Sequence, residues 1–164
     1  MQKTALDSTS PASREHTPVF RIADYPLHYI AHVERRAHQA FARALRRHGL
    51  SNQTWRVLAA LSSGDAQTIG QIADLTACDR ANLGRLLAAM EEEGLVARTA
   101  DRGDARAVLA RLTAKGEARL AAARPDVLAI YDCLLEGLSP AETEALLTLL
   151  RRLKANSALL GEIP

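Results

Sequence analysis

The fold of this chain is decided by residues 68–113, which read TIGQIADLTACDRANLGRLLAAMEEEGLVARTADRGDARAVLARLT. Apolar residues recur at helical spacing on both sides of a tight connection, Leu75–Cys78, so two consecutive helices are predicted. Asp79 suits the N-cap of the second helix. Gly94 suits the position just after its end, where a left-handed backbone is favoured.

Two short strands are predicted after the second helix. Residues 95–98 and 108–112 have strand-like composition and flank Asp101–Asp104, a turn signal that contains arginine and glycine. Helix, turn, helix and β-hairpin in this order are typical of a winged helix-turn-helix, which binds DNA. The exposed positions of this unit that suit contact with a duplex are Arg80, Asn82, Arg85, Arg102 and Arg106.

The residue types at the start of the second helix suit recognition of base edges. Arginine pairs with guanine through two hydrogen bonds and asparagine with adenine, and each pairing is worth about 1–3 kcal/mol of discrimination. Taken alone, the same residues also fit an ordinary solvated helix face. Gly84 has two interpretations, a close approach to the DNA groove or a tolerated weak point in the helix. We expect Glu91–Glu93 to face solvent without a role.

Length and composition limit the remaining possibilities. The chain has 164 residues, of which 48% are hydrophobic and only 4% aromatic, a composition typical of one helical domain. The formal net charge is +2, so any basic DNA-binding surface has to be local. Cys78 and Cys133 are too few for a disulfide framework or a zinc site, and Cys133 fits a core position. No membrane span or signal peptide is recognisable, so a cytoplasmic protein is predicted.

An enzymatic function is not supported by any grouping of residues. No Ser/His/Asp, Cys/His or paired-carboxylate arrangement can be assembled, and no glycine-rich phosphate loop is present. We therefore predict a protein that is not an enzyme and that uses no cofactor or metal.

Four regions are predicted from composition and helical periodicity. They are a disordered or arm-like extension (1–18), a dimerisation arm with the first helix (19–48), a DNA-binding lobe (49–113) and C-terminal dimerisation helices (114–164). The first helix starts at Pro26, and Leu27 and Ile30 are expected on its buried face. Ser51 is expected to cap the second helix.

The C-terminal region carries its own start and stop signals. Thr113 is expected to cap a long helix, in which Pro125 should cause a kink or an interruption. Ser139, Pro140 and Glu142 form the signature of a capping box at the start of the last helix. That helix is more apolar than one small domain can bury, which favours a dimer.

The order of these elements and three short motifs resemble the MarR family of regulators over residues 25–160. The motifs are Gly-Leu-Val-Ala-Arg at 94–98, Asp-Ala-Arg-Ala-Val at 104–108 and Leu-Thr-Ala-Lys-Gly at 112–116. The resemblance implies a mainly α fold with a small β-wing, six helices, and a homodimer formed by the N- and C-terminal helices. It also implies ligand-controlled repression at a palindromic operator. Arg106 matches the wing arginine that enters the minor groove, and Asp104 matches the aspartate that braces it.

The family resemblance also places an effector cleft between the first two helices and the winged domain. Candidate residues for binding the effector are Tyr25, His28, Tyr29, His32, Arg36, Trp55 and Arg56. Aromatic walls with cationic groups suit a small aromatic carboxylate, for instance a phenolic acid. Packing at a dimer interface is the alternative interpretation of the same residues. A zinc site on His28 and His32 is disfavoured because no cysteine or carboxylate joins them.

Three other modes of regulation remain open from the sequence. The protein could act without any small-molecule effector, or it could respond to a coenzyme A thioester in place of the free acid. Cys78 stands just before the second helix of the motif, where a thiolate would be favoured and oxidation could disturb DNA contact. A small turn residue packed against the core is the alternative interpretation of Cys78.

Overall fold

A computed structural model describes residues 21–63, 65–100 and 108–162. Its α-helices are α1 (Pro26–Arg46), α2 (Asn52–Ala60), α3 (Ile69–Thr76), α4 (Arg80–Glu92), α5 (Ala114–Leu134) and α6 (Pro140–Ser157). Its strands are β1 (Gln67–Thr68), β2 (Val96–Ala100) and β3 (Val108–Leu112). Short 3-10 segments cover Ile22–Asp24, Leu61–Ser63 and Ala158–Glu162. The predicted six-helix winged helix-turn-helix is confirmed in this part of the chain.

Contacts between residues divide the chain into two compact units, Met1–Glu34 and Arg35–Pro164. The predicted region boundaries at residues 18, 48 and 113 stay predictions. In the described part of the N-terminal unit, Leu27 is 72% exposed and Ile30 is 37% exposed. The prediction that both are buried is wrong, because α1 reaches a hydrophobic core only near its end, at Ala44 and Leu45. No helix within the three described ranges is long and apolar enough to cross a membrane.

The core of the Arg35–Pro164 unit is built from leucine, isoleucine and valine of several elements. Its largest fully buried side chains include Leu45, Leu58, Leu61, Ile72, Leu83, Leu87, Met90 and Leu95. Full burial of one such side chain stabilises the fold by about 1.5–3 kcal/mol. The predicted apolar stripe of α4 is confirmed, since three of its residues are buried and the fourth, Leu86, is partly buried against the core.

Helix starts are fixed by side-chain caps. The predicted N-caps are all confirmed, namely Ser51, Asp79, Thr113 and Ser139. One further capping box, at α3, was not predicted. There the Thr68 hydroxyl accepts from the Gln71 amide at 3.2 Å, and the Gln71 side chain accepts from the Thr68 amide at 2.8 Å. Caps of this kind typically contribute about 1 kcal/mol each.

The sheet has three antiparallel strands in the order β1-β3-β2. The hairpin of β2 and β3 pairs Val96 with Leu112, as its sequence predicts. Strand β1 was not predicted, because its two residues are too few to show an alternating pattern. It pairs Gln67 with Ala110 and so connects the segment before α3 to β3, the central strand of the sheet.

Helix α5 passes through Pro125 without a break. An interruption at Pro125, one of the two predicted outcomes, is therefore wrong, and a kink stays a prediction. Proline removes one backbone hydrogen bond and crowds the preceding turn, at a cost of about 3 kcal/mol. Ala123 and Val127, which are buried on either side of the proline, pack against the core and hold the helix together.

The end of α1 is tied to α5 by a cluster of polar side chains. The His48 ring donates to an Asp126 oxygen through Nε2 at 2.7 Å, and Arg47 lies 3.2 Å from the same oxygen. Arg119 donates to the His48 carbonyl at 2.7 Å. The hydrogen bond from His48 lowers the pKa of Asp126, although desolvation opposes the shift. These contacts hold α5 against the corner between α1 and α2.

The end of α4 docks directly on the start of α5. The Thr113 hydroxyl donates to the Gly94 carbonyl at 2.6 Å, and the Thr113 amide donates to the Leu95 carbonyl at 3.2 Å. A methyl group at Gly116 would overlap the Leu95 carbonyl oxygen. Gly94 itself has a φ of 71°, the left-handed conformation expected after a helix end. The Leu-Thr-x-x-Gly motif is therefore a docking site for the end of α4.

A second tie joins α4 to β2. The Arg98 side chain donates to Glu91 through Nε at 2.7 Å, and the Arg98 amide donates to the other Glu91 oxygen at 2.9 Å. These two hydrogen bonds lower the pKa of Glu91, while desolvation partly opposes the shift. The expectation that Glu91 has no role is wrong. It was missed because Arg98 is paired with it only through the folded hairpin.

We predict that Gly116→Ala destabilises the protein by about 1–3 kcal/mol, because the methyl group must push the Leu95 backbone away from α5. Urea denaturation measures the change. Gly84→Ala is the matched control, since a methyl group there meets nothing within 4 Å. That variant should gain up to about 1 kcal/mol from helix propensity. Equal effects of the two variants would contradict the docking role of Gly116.

We predict that Glu91→Gln lowers the stability at pH 7 and that the difference from wild type disappears in acid. A carboxylate whose pKa is lowered by folding stabilises the native state above its unfolded pKa, near 4.5, and loses this contribution as the pH falls through the folded value. Urea midpoints measured from pH 7 down to pH 3 test this. A difference that stays constant over this range would show that the charge of Glu91 is not involved.

Candidate nucleic-acid interface

Helices α3 and α4 are joined by a three-residue turn. Ala77 occupies the left-handed region in this turn, with φ 53° and ψ 33°. It is the only residue other than glycine with a positive φ in the described part of the chain. Cys78 is half-buried, and its Sγ lies 3.7 Å from the Thr76 carbonyl oxygen. The turn thus places the start of α4 at a defined angle to α3.

The first turn of α4 is held by Asp79. Its carboxylate accepts from the amides of Ala81 at 3.0 Å and Asn82 at 3.1 Å. Leu83 and Leu87 are buried on the opposite face of the helix. Since the buried stripe fixes the rotation of α4, the predicted contact residues Arg80, Asn82 and Arg85 are all directed to the exposed face.

Two of the exposed side chains of α4 are joined by a hydrogen bond. Arg85 donates through Nη2 to the amide oxygen of Asn82 at 2.5 Å. Both residues are exposed, and this bond leaves the amide nitrogen of Asn82 and the other guanidinium nitrogens of Arg85 available as donors. The Arg80 guanidinium lies beside Gly70, where a methyl group would be 3.7 Å from its Nη2. The start of α4 therefore presents two cations and an amide to solvent, a set suited to phosphates and base edges.

The remaining predicted DNA-contact residues belong to the tip of the hairpin. Arg102, Asp104 and Arg106 lie outside the described residues. Strands β2 and β3, which lead to and from this tip, are both described and are paired along their whole length. The roles of the three tip residues stay predictions.

Two of the predicted effector residues line a small cleft between α1, α2 and α5. Trp55 and Arg56 of α2 meet Phe41 of α1 and Tyr131 of α5 there, around a volume of about 60 Å³. The rings of Phe41 and Tyr131 are 5.3 Å apart between centroids and inclined by 50°. These two rings were not predicted to line the cleft, because each fits the apolar face of its own helix.

Arg36 lies elsewhere, in an open groove between α1 and α5 with a volume of about 690 Å³. Arg43, seven residues further along α1, and Arg47, just after the end of α1, line the same groove. Cys133 also lines it and is exposed, so its predicted core position is wrong. The second half of α5 leaves the core after Val127, and a cysteine six residues beyond it therefore reaches the surface.

The other predicted effector residues belong to the N-terminal unit. The His28 ring makes edge contacts with Tyr29, at 5.2 Å between centroids, and with His32, at 4.6 Å. Tyr25 and Tyr29 are about half exposed. No group of three His, Cys, Asp or Glu side chains that could hold a metal occurs in residues 21–63, 65–100 and 108–162. Binding of an effector by this cluster stays a prediction.

Comparison with known proteins supports the interpretation of the fold and of α4. The family model of the MarR family matches residues 48–107. The transcriptional repressor IacR of Pseudomonas putida is 25% identical over 145 residues, which are 85% of this chain and 87% of that protein.

Two solved structures resemble this chain over most of its length. A MarR-family regulator from Silicibacter pomeroyi superposes with a TM-score of 0.74 at 28% identity, covering 82% of this chain and 90% of that one. BpsR of Bordetella bronchiseptica, whose DNA binding is regulated by 6-hydroxynicotinic acid, gives a TM-score of 0.72 at 26% identity, covering 82% and 96%. The family model matches the helix-turn-helix, and these structures are similar along most of the chain, so this protein resembles MarR-family transcriptional regulators in sequence and in fold.

Proposed function

We propose that this protein is a homodimeric repressor that binds a palindromic operator and is released from it by a small aromatic carboxylate. The observation that carries the proposal is the exposed set Arg80, Asn82 and Arg85 on a helix whose rotation is fixed by a buried apolar stripe. A helix of this kind suits the major groove, where its first turns reach base edges. The net charge of the whole chain is only +2, so this local set supplies the DNA-binding surface.

Rigid support of α4 adds to its suitability as a recognition helix. Its start is capped by Asp79, and its end is tied to β2 through Glu91 and to α5 through Thr113. Base recognition requires contact atoms to be placed within a fraction of an ångström, which a helix held at one end only does not provide. The Glu91 carboxylate is paired with Arg98, so it does not leave an isolated negative charge on the DNA-facing lobe.

Dimerisation is supported by the apolar surface of the C-terminal helices. Helix α6 has no buried side chain among its described residues, and Leu149 and Leu153 are 55% and 44% exposed. Other large apolar side chains exposed from this region are Leu128, Tyr131, Leu134, Leu138, Leu146, Leu147, Leu150, Leu159 and Leu160. A soluble monomer rarely exposes so extended an apolar surface. A second copy of the chain would cover it, and a twofold dimer suits a palindromic operator.

An effector is supported by the cleft of Phe41, Trp55, Arg56 and Tyr131. Three aromatic walls and one guanidinium are the groups that bind an aromatic ring with a carboxylate. An effector releases DNA only if it binds a conformation in which the two recognition helices no longer match successive grooves. A coupling free energy of about 1–3 kcal/mol would lower operator affinity by about 5–150-fold. The regulation of BpsR by 6-hydroxynicotinic acid is a precedent in a related protein.

We predict that Arg85→Ala weakens binding to a specific duplex by about 5–150-fold, the range expected for loss of one paired contact to a base. The duplex is one enriched by the wild-type protein from a random pool, and fluorescence anisotropy at fixed salt gives the affinity. Arg124→Ala is the matched control, since it removes the same charge from an exposed position on α5. An equal loss of DNA affinity in the two variants would mean that Arg85 contributes only through the net charge of the protein.

We predict that the double variant Leu149→Asp and Leu153→Asp is a monomer with unchanged helical circular dichroism. Sedimentation equilibrium should shift from twice the chain mass of 17.8 kDa to the single mass, since both side chains lie on one exposed face of α6. A control with Thr148→Asp and Ala155→Asp adds the same charge to another face of the helix. A wild-type protein that is monomeric at micromolar concentration would contradict the proposed dimer.

A further inference from the structure

Asn82 and Arg85 are the central polar residues on the exposed face of α4. The exposed residues of this helix are Arg80, Ala81, Asn82, Arg85, Ala89 and Glu92. Ala81 and Ala89 lie one turn before and one turn after Arg85, so only methyl groups flank its side chain. Glu92 lies about 10 Å further along the helix. The Arg80 guanidinium lies beside Gly70 of α3. Base recognition by the middle of this face therefore depends on Asn82 and Arg85.

One hydrogen bond fixes the orientation of the Asn82 amide. Arg85 donates through Nη2 to the Asn82 oxygen Oδ1 at 2.5 Å. A guanidinium has donors only, so turning the amide over would place its NH2 group against the cation. The bond is charge-assisted, and such bonds are roughly twice as strong as neutral ones. The Asn82 oxygen is therefore directed to Arg85, and the Asn82 nitrogen is left as a donor.

The two side chains together present donors to the DNA. The bond between them uses one N–H group of the guanidinium and none of the N–H groups of the amide. In the major groove guanine presents two acceptors, N7 and O6, whereas adenine presents the acceptor N7 beside the N6 amino donor. Donors from the protein match both guanine atoms. At adenine, the N6 donor would meet an amide oxygen that already accepts from a cation.

We propose that Asn82 and Arg85 read DNA as one unit and select guanine at the base that Asn82 contacts. This inference rests on the proposed function and specifies the base that its recognition helix selects. The usual pairing of asparagine with adenine requires an amide oxygen that accepts from N6. Because Arg85 occupies that oxygen, Arg85 excludes adenine at a base that it does not itself have to contact.

The test starts from a duplex that the wild-type protein enriches from a random pool. Single base pairs are exchanged in one half-site, and fluorescence anisotropy at fixed salt gives the affinity of the full-length protein. The base read by Asn82 is the one at which Asn82→Ala loses the preference of the wild type. We expect guanine there, with adenine bound about 5–150-fold more weakly, the range for one paired contact to a base. Adenine as the preferred base would overturn the proposal.

The distinguishing variant is Arg85→Ala, which releases the amide oxygen of Asn82. Its overall affinity should fall, and its preference at the base read by Asn82 should change from guanine to adenine, since the released amide can pair with N6 and N7. Arg124→Ala removes the same charge from an exposed position on α5 and should keep the preference for guanine. An unchanged preference in Arg85→Ala, with only the overall affinity reduced, would show that the two residues act independently and would refute the pair.

Two base analogues separate recognition in the major groove from effects of the minor groove. Inosine keeps the N7 and O6 atoms of guanine and lacks its minor-groove amino group, so the wild type should bind it as tightly as guanine. The base 2,6-diaminopurine has that amino group but carries the N6 donor of adenine, so it should be bound as weakly as adenine. The opposite order would assign the preference to the minor groove and contradict recognition by Asn82 and Arg85.

The outcomes separate this inference from the proposed function. If the wild type enriches a sequence and Asn82→Ala changes no base preference, the role of Asn82 is wrong while operator binding stands. If the wild type enriches no sequence, the proposed operator binding and this inference are both contradicted. Circular dichroism and thermal unfolding confirm that each variant is folded, and the substitutions leave the buried residues Leu83 and Leu87 of α4 unchanged.

Discussion

The docking of the end of α4 on the start of α5 is the constraint on which the functional arrangement depends. Two carbonyl groups at the end of α4 accept from Thr113, and the absence of a side chain at Gly116 lets the backbones approach. The same threonine caps α5 with its hydroxyl at 3.1 Å from the Gly116 amide. Thr113 therefore caps α5 and at the same time joins the start of α5 to the turn that follows α4.

This junction makes α5 a mechanical link between the two candidate sites. Helix α5 runs without a break for 21 residues, or about 30 Å at 1.5 Å per residue. Thr113 at its start contacts the end of α4, and Tyr131 near its other end is a wall of the ligand cleft. His48 and Arg119 hold the middle of α5 against the corner between α1 and α2. On the proposed function, a ring that displaced Tyr131 would act on α4 through this continuous helix.

Local features of the fold were predictable from sequence, and long-range ones were not. The caps at Ser51, Asp79 and Ser139 depend on neighbours within four residues, so the sequence contains all the information they need. Strand β1 and the Glu91–Arg98 pair depend on a partner strand and on the folded hairpin. Pro125 shows the opposite case, because a local rule allowed an interruption that tertiary packing prevents.

The candidate sites show the same difference between features set by local sequence and features set by long-range contacts. The contact residues of α4 were predictable because helical periodicity and one buried stripe determine which side chains are exposed. The cleft was predictable only in part, through Trp55 and Arg56, since its other walls come from helices far apart in sequence.

Helix α2 provides a second route from the cleft to the DNA-binding surface. It carries Asn52 and Trp55 at one end, and at its other end the Ala60 carbonyl accepts from the Gln67 side chain at 2.8 Å. Gln67 begins β1, and the next residue, Thr68, caps α3. Helix α2 therefore connects the cleft to α3, and α5 connects it to the turn after α4. We propose that a ligand that shifted α2 relative to α5 would change the orientation of α4, since packed interfaces favour discrete arrangements over continuous deformation. Such a change would distinguish a DNA-bound from a ligand-bound conformation.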